Sequence, residues 1–121
     1  MAKGTGPTNP ILANLVHELK KRSSEQNVNI WKRIALDLEK PTRNRRIVNL
    51  SRINRYTKEN EIIVVPGKVL GSGLLSHKLT IAAWQFSEGA KEKLRQAGAK
   101  IVTLDELSRE NPEGKRIRIM G

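Results

Sequence analysis

Apolar residues recur at helical spacing in the first third of the chain. Between Asn9 and Leu19 they come every three or four positions, which predicts an amphipathic helix with Asn9 as its N-cap and Pro10 at its first position. A polar linker from Ser23 to Asn29 follows, and Asn29 is expected to cap a second helix that ends before Pro41. The predicted inner faces are Ile11, Leu12, Leu15, Val16 and Leu19 in the first helix and Trp31, Ile34, Ala35 and Leu38 in the second.

A third helical pattern runs from about Asn49 to Lys58. At roughly 100° per residue, its apolar positions and its arginines fall on opposite sides. The side expected to pack holds Leu50, Ile53 and Thr57, and the side expected to face outward holds Arg52 and Arg55. This pattern predicts a helix with one buried face and one cationic face.

The pattern changes to that of strands at Glu61. Ile62 to Val65 is a β-branched run of strand length, and the Val-Pro-Gly-Lys sequence that ends at Lys68 predicts a type II turn. A glycine-rich loop is expected from Lys68 to His77, followed by a strand from Lys78 to Phe86. Apolar residues occupy both faces of that strand, so we expect it to lie in the centre of a sheet.

Short elements complete the chain. A helix is expected from Ser87 to just before Gly98, and a strand at residues 101–102. Thr103 and Glu106 form a capping box for a brief helix, residues 111–114 predict a turn, and residues 115–120 predict a strand.

The order of these elements predicts an α/β fold, with N-terminal helices followed by a small mixed sheet and short helices. We expect residues 1–8, which are rich in Gly and Pro, to form a flexible arm. Residues 9–121 are expected to form one domain, helical and basic in residues 9–60 and an α/β scaffold in residues 61–121.

The charge of the chain points to a polyanionic partner. Twenty-three Lys and Arg against twelve Asp and Glu give a net charge of +11 over 121 residues. Seven of these cations and no acid lie within residues 40–58, where arginines can hold phosphate oxygens in a bidentate manner. The composition therefore predicts a basic loop and helix that bind nucleic acid. The candidate residues are Lys40, Arg43, Arg45, Arg46, Arg52, Arg55 and Lys58.

A second candidate lies in the glycine-rich loop, because glycines allow a backbone to approach a phosphate closely. Its spacing fits neither the P-loop nor the dinucleotide-binding pattern. A backbone approach to RNA or an ordinary turn is therefore favoured over a nucleotide pocket, and His77 is expected to contact RNA or solvent. The candidates here are Lys68, Gly71, Ser72, Gly73 and His77.

Other functional classes find little support in the sequence. No stretch approaches the roughly 18 apolar residues of a membrane span, and nothing resembles a signal peptide. The absence of Cys fits a reducing compartment such as the cytoplasm. With two His and two Asp, a catalytic triad or metal site is disfavoured, so we expect no catalysis, cofactor, metal, membrane or small-molecule substrate. Two alternatives stay open: a DNA-compacting protein, and a small nucleotide-binding enzyme that uses Lys68 and the glycines.

Residues 48–73, VNLSRINRYTKENEIIVVPGKVLGSG, resemble the signature of an archaeal and eukaryotic ribosomal protein family. This family is large-subunit protein eighteen of the eukaryotic type, which is related to bacterial large-subunit protein fifteen. One departure is Gly98-Ala99, where the family often has two glycines. The resemblance extends in order over nearly the whole chain, through TNPILANLVHEL, IWKRIALDLEKPTRNRR, TIAAWQFSEGAKEKLRQAG and ENPEGKRIRIM.

The resemblance implies a non-catalytic component of the large ribosomal subunit that binds large-subunit rRNA and touches neighbouring ribosomal proteins. It also implies an α/β fold of irregular strand-strand-helix turns preceded by helices. By position, the implied RNA-facing residues are Arg43, Arg45, Arg46, Arg52, Arg55, Lys68, Gly71, Ser72 and Gly73.

Overall fold

The computed structural model describes residues 9–41 and 45–121. The predicted arm at residues 1–8 and the candidate Arg43 lie outside these residues. The fold is α/β, as the sequence predicts, and it divides into two compact units. We call residues up to 45 together with 105–115 the helical unit, and residues 46–104 together with 116–121 the sheet unit.

Helices and strands follow one another in the order that the resemblance implies. The helices are α1 (Pro10–Gln26), α2 (Ile30–Leu38), α3 (Leu50–Tyr56), α4 (Glu88–Gln96) and α5 (Leu104–Glu110). The strands are β1 (Arg46–Asn49), β2 (Ile62–Leu70), β3 (Thr80–Phe86), β4 (Lys100–Val102) and β5 (Ile117–Ile119).

In the helical unit, α1 begins as predicted, because the Asn9 side chain accepts hydrogen bonds from the backbone N–H of Ile11 at 2.8 Å and of Leu12 at 3.3 Å. Trp31 on α2 is fully buried, and its indole N–H donates to the carbonyl of Pro112 at 2.7 Å. Buried polar groups need such partners, so this bond ties the 111–115 turn to α2. The other predicted inner residues that are buried are Leu12, Val16, Leu19, Ile34, Ala35 and Leu38.

Three predictions about this unit are wrong in detail. The polar linker is shorter than expected, because α1 continues to Gln26 with Ser23 buried and its hydroxyl bonded to the carbonyl of Val28. Ile11 belongs to the predicted apolar stripe, yet its side chain is 72% exposed. Asn29 does precede α2, but its side chain makes no capping hydrogen bond.

In the sheet unit, the strands pair in the order β1-β2-β3-β4, and β5 also pairs with β2. Every pairing among the described residues is parallel. β5 pairs with the start of β2, at Ile62–Val64, and β1 pairs with its end, at Gly67–Leu70. The predicted central strand β3 has neighbours on both sides, as expected.

The type II turn predicted to end at Lys68 is wrong. β2 continues through Pro66 and Gly67 to Leu70, with a shift of register between Val65 and Lys68. Gly67 has no positive φ, and a Cβ on it would lie 1.9 Å from the carbonyl oxygen of Arg46. Glycine is therefore required by the close approach of β1, a strand that the sequence pattern did not predict.

Helices α3 and α4 pack on one face of this sheet, and their buried residues join those of the strands in one core cluster. α4 begins at the Ser87 cap as predicted, where the hydroxyl accepts from the N–H of Ala90 at 3.1 Å. It ends at Gln96, and Gly98 just beyond it has a φ of +77°, with the N–H of Ala99 bonded back to the carbonyl of Leu94. These two helices position the candidate site.

Candidate RNA-binding surface

Helix α3 is shorter than its predicted span, and its residues separate into distinct faces. Leu50, Ile53 and Thr57 are buried, whereas Arg52 and Arg55 are exposed, as the sequence predicts. Neither arginine makes an ion pair or hydrogen bond with any described residue. Tyr56 is 54% exposed beside them. We call Arg52 and Arg55 the α3 arginine pair.

A third face of α3 binds the loop that joins β2 to β3, residues 71–79. The backbone N–H of Ser51 donates to the carbonyl of Ser72 at 3.0 Å. The Asn54 side chain then accepts from the N–H of Ser76 at 3.0 Å and from its hydroxyl at 2.9 Å. These bonds fix the loop to the same helix that displays the arginines.

The candidate residues Gly71, Ser72 and Gly73 lie where this loop passes the first turns of α3 and α4. A Cβ on Gly71 would lie 2.8 Å from the backbone nitrogen of Ala90, and one on Gly73 would lie 2.5 Å from the Cβ of Ser51. Gly73 also has a φ of +91°, which side chains disfavour. Both glycines are therefore required by close packing, and Ser72 between them is exposed.

Lys93 on α4 holds this loop in place, a role that the sequence analysis did not find. Its ammonium group donates to the carbonyls of Gly71 at 2.7 Å and Gly73 at 2.8 Å. The carbonyl of Ser72 accepts from α3, so all three carbonyls have partners within the protein, and no described residue accepts from the N–H of Ser72 or Gly73. The backbone N–H groups of Ser72 and Gly73 are thus available as donors.

His77 has a partner within the protein. Its Nε2 lies 2.8 Å from the hydroxyl of Thr57, and that hydroxyl donates to the carbonyl of Ile53 at 2.6 Å. Because a hydroxyl has one hydrogen, Nε2 must carry the hydrogen that joins His77 to Thr57. The ring therefore secures the far end of the loop, and its expected contact with RNA stays a prediction.

Lys68 lies apart from the α3 arginine pair. Val69 next to it belongs to the core cluster with Leu50 and Ile53 of α3, and successive strand residues point to opposite faces. Lys68 is therefore on the other face of β2, in an exposed row with its register partners Ile47 and Gln85.

The remaining predicted cations have mixed environments. Arg46 donates to the carbonyl of Gly121 at 3.1 Å. In the helical unit, Lys40 pairs with Asp37 at 3.1 Å, and the Nε of Arg45 donates to the carbonyl of Lys40 at 3.1 Å. The run of cations that is continuous in sequence is thus divided between the two units after Arg45.

Comparison with known proteins identifies the family. A family model described as "Ribosomal protein 60S L18 and 50S L18e" matches residues 1–121. The chain belongs to this ribosomal protein family. It is 46% identical over 120 residues to the large ribosomal subunit protein eL18 of Methanothermobacter thermautotrophicus and 48% identical over 120 residues to that of Methanoregula boonei, with 99% of each chain covered. The eL18 of Methanococcus maripaludis is 43% identical over 113 residues, with 93% of this chain and 94% of the relative covered.

The L18 and L18e membership agrees with the resemblance seen in the sequence. Among the described residues, no group of three or more His, Cys, Asp or Glu side chains is arranged to hold a metal ion. No helix in the described part of the chain is long and apolar enough to cross a membrane. The candidate site is the cationic surface on α3 together with the loop beside it.

Proposed function

We propose that this protein is a structural, non-catalytic constituent of the large ribosomal subunit that binds large-subunit rRNA through the α3 arginine pair and the loop at residues 71–79. The observation that carries the proposal is that Arg52 and Arg55 are exposed on one helix face without any carboxylate partner among the described residues. Membership of a family of large-subunit ribosomal proteins supports the ribosomal part.

The chemistry of the surface fits a phosphate backbone. Guanidinium groups bind phosphate oxygens through two parallel hydrogen bonds, and residues three apart on a helix lie side by side. The N–H groups of Ser72 and Gly73, which donate to no described residue, add uncharged donors for the same kind of ligand. Because A-form RNA hides the base edges of its major groove, shape and backbone contacts supply most of the specificity. We also expect the protein to contact neighbouring large-subunit ribosomal proteins and to be found on cytoplasmic ribosomes.

Reversing the α3 arginine pair tests this proposal. Arg52→Glu/Arg55→Glu should leave the fold intact, because neither exposed side chain makes a hydrogen bond or ion pair with a described residue, and should release the protein from large subunits in a sedimentation gradient at moderate salt. The matched control is Lys91→Glu/Lys115→Glu, which changes the net charge equally at two lysines already paired with Glu88 and Glu113. The control should stay in the subunit fraction.

Release of both variants alike would indicate a general effect of charge and contradict the role of α3. Retention of both would contradict the proposed surface altogether. Competition between large-subunit rRNA and duplex DNA should favour the rRNA, and equal competition would instead support a DNA-compacting protein.

A further inference from the structure

The end of the sheet at which its strands begin carries a second set of exposed cations. All strands of a parallel sheet begin at the same end, and each of β2, β3, β4 and β5 is preceded or opened by such a residue. We call this end the amino end of the sheet. The cations are Lys58 before β2, Lys78 before β3, Lys100 as the first residue of β4 and Arg116 before β5.

Backbone hydrogen bonds hold these strand entries next to each other. The N–H of Asn60 donates to the carbonyl of Lys78 at 2.8 Å, and the N–H of Lys100 donates to the carbonyl of Leu79 at 2.8 Å. The stem of Lys78 also lies against Gly98, where a Cβ would be 3.5 Å from its Cγ. Lys78 and Lys100 therefore belong to one local surface.

The carboxylate of Glu61 bonds other groups than these four side chains. Glu61 accepts from the backbone N–H of Lys58 at 2.6 Å and pairs with Arg118 at 3.3 Å. Among the described residues, no carboxylate pairs with the side chain of Lys58, Lys78, Lys100 or Arg116. Four exposed cations without a carboxylate partner among the described residues create a local positive potential that attracts phosphates.

We propose that the amino end of the sheet is a second RNA-binding surface, on which Lys78 and Lys100 bind phosphates other than those bound by the α3 arginine pair. Arg55 lies three residues before Lys58, so the two sets of cations adjoin along the chain, and Lys78 and Lys100 extend the second set across β3 and β4. This inference rests on the proposed function, since RNA is its ligand. It assigns binding to Lys78 and Lys100, which the sequence pattern does not single out.

Hydroxyl-radical footprinting of large-subunit rRNA, in complex with the full chain, tests the inference. The wild-type protein should protect two groups of nucleotides. Lys78→Glu/Lys100→Glu should remove one group and keep the other, and Arg52→Glu/Arg55→Glu should do the reverse. Each double variant changes the net charge equally, so each serves as the control for the other.

A tethered probe provides a second measurement that does not depend on the folding of a charge-reversal variant. The chain has no Cys, so Glu59→Cys can carry an iron chelate at the amino end and Ser72→Cys can carry one at the loop. Cleavage from position 59 at the nucleotides lost in Lys78→Glu/Lys100→Glu supports the inference. Unchanged protection in that variant, or no RNA cleavage from position 59, overturns it while the proposed function stands. No protection by the wild-type protein would overturn the proposed function itself.

Discussion

The ammonium group of Lys93 donates a hydrogen bond to the carbonyl oxygen of Gly73 at 2.8 Å. The same group donates to Gly71, so one side chain of α4 fixes the loop that lies beside the α3 arginine pair. Hydrogen bonds to charged groups contribute more than neutral ones. We therefore expect this contact to stabilise the position of the loop next to α3.

Replacement of Lys93 by Met should loosen the loop and leave the sheet intact. Met keeps the length of the stem and loses both hydrogen bonds, so the free energy of unfolding should fall by about 1–3 kcal/mol. Amide hydrogen exchange should quicken at residues 71–76, and affinity for rRNA should fall with it. The control is Lys91→Met on the same helix, whose exposed pair with Glu88 contributes less than about 1 kcal/mol. Equal effects of the two substitutions would argue against a bracing role for Lys93.

Two glycines should respond to Ala with opposite sign. Gly73→Ala places a Cβ 2.5 Å from Ser51 and forces a side chain into a φ of +91°, so we expect a loss of at least about 2 kcal/mol in the free energy of unfolding. Gly89→Ala in α4 meets nothing within 4 Å and should stabilise by up to about 1 kcal/mol. Chemical denaturation of both variants measures the difference, and a neutral Gly73→Ala would show that the loop can move away from α3.

The ring of His77 should be the Nε2–H tautomer when neutral. The hydroxyl of Thr57 already donates to Ile53, which leaves its oxygen to accept from Nε2. Nitrogen chemical shifts measured by NMR report the tautomer directly, and a dominant Nδ1–H form would contradict this geometry. Thr57→Val removes the acceptor and should destabilise by about 1–2 kcal/mol, whereas Thr57→Ser should retain the Nε2–H form.

Binding to rRNA should depend steeply on salt, and the α3 arginine pair should account for part of that dependence. Each phosphate contact releases condensed counterions, so Arg52→Ala/Arg55→Ala should reduce the slope of log affinity against log salt by about 1.4–1.8. Lys91→Ala/Lys115→Ala is the control, because both lysines are already paired with carboxylates. Titrations between about 50 and 200 mM salt measure the slopes. An unchanged slope in the arginine variant would mean that these side chains do not bind phosphates.

Local patterns predicted the elements well where one face packs and a cap is present. Asn9 and Ser87 mark the starts of α1 and α4 because their side chains satisfy nearby backbone N–H groups. The third helix separated its buried and cationic faces as predicted, because its periodicity follows from backbone geometry alone. The turn near Gly67 was predicted wrongly because glycine serves either a positive φ or a close contact, and sequence alone does not distinguish the two.

The candidate site was predicted in part. Arg52 and Arg55 are exposed without partners among the described residues, whereas Arg46 is bonded to Gly121, which is 75 residues away in sequence. Lys93 was missed because its partners are backbone carbonyls, and no sequence pattern records which carbonyls a distant lysine reaches. Lys78 and Lys100 were missed because they become neighbours only when β3 and β4 pair.

The sequence by itself determined the charge of this protein, its family, its α/β class and the cationic side of α3, because composition, caps and helical periodicity are local properties. Only the tertiary structure decided which cations stay unpaired and where they gather. That choice depends on strand pairing and on contacts between residues far apart in the chain, such as Lys93 with Gly71 and Gly73. Long-range pairing sets the distances between charges, and those distances decide whether a basic residue is available to a phosphate.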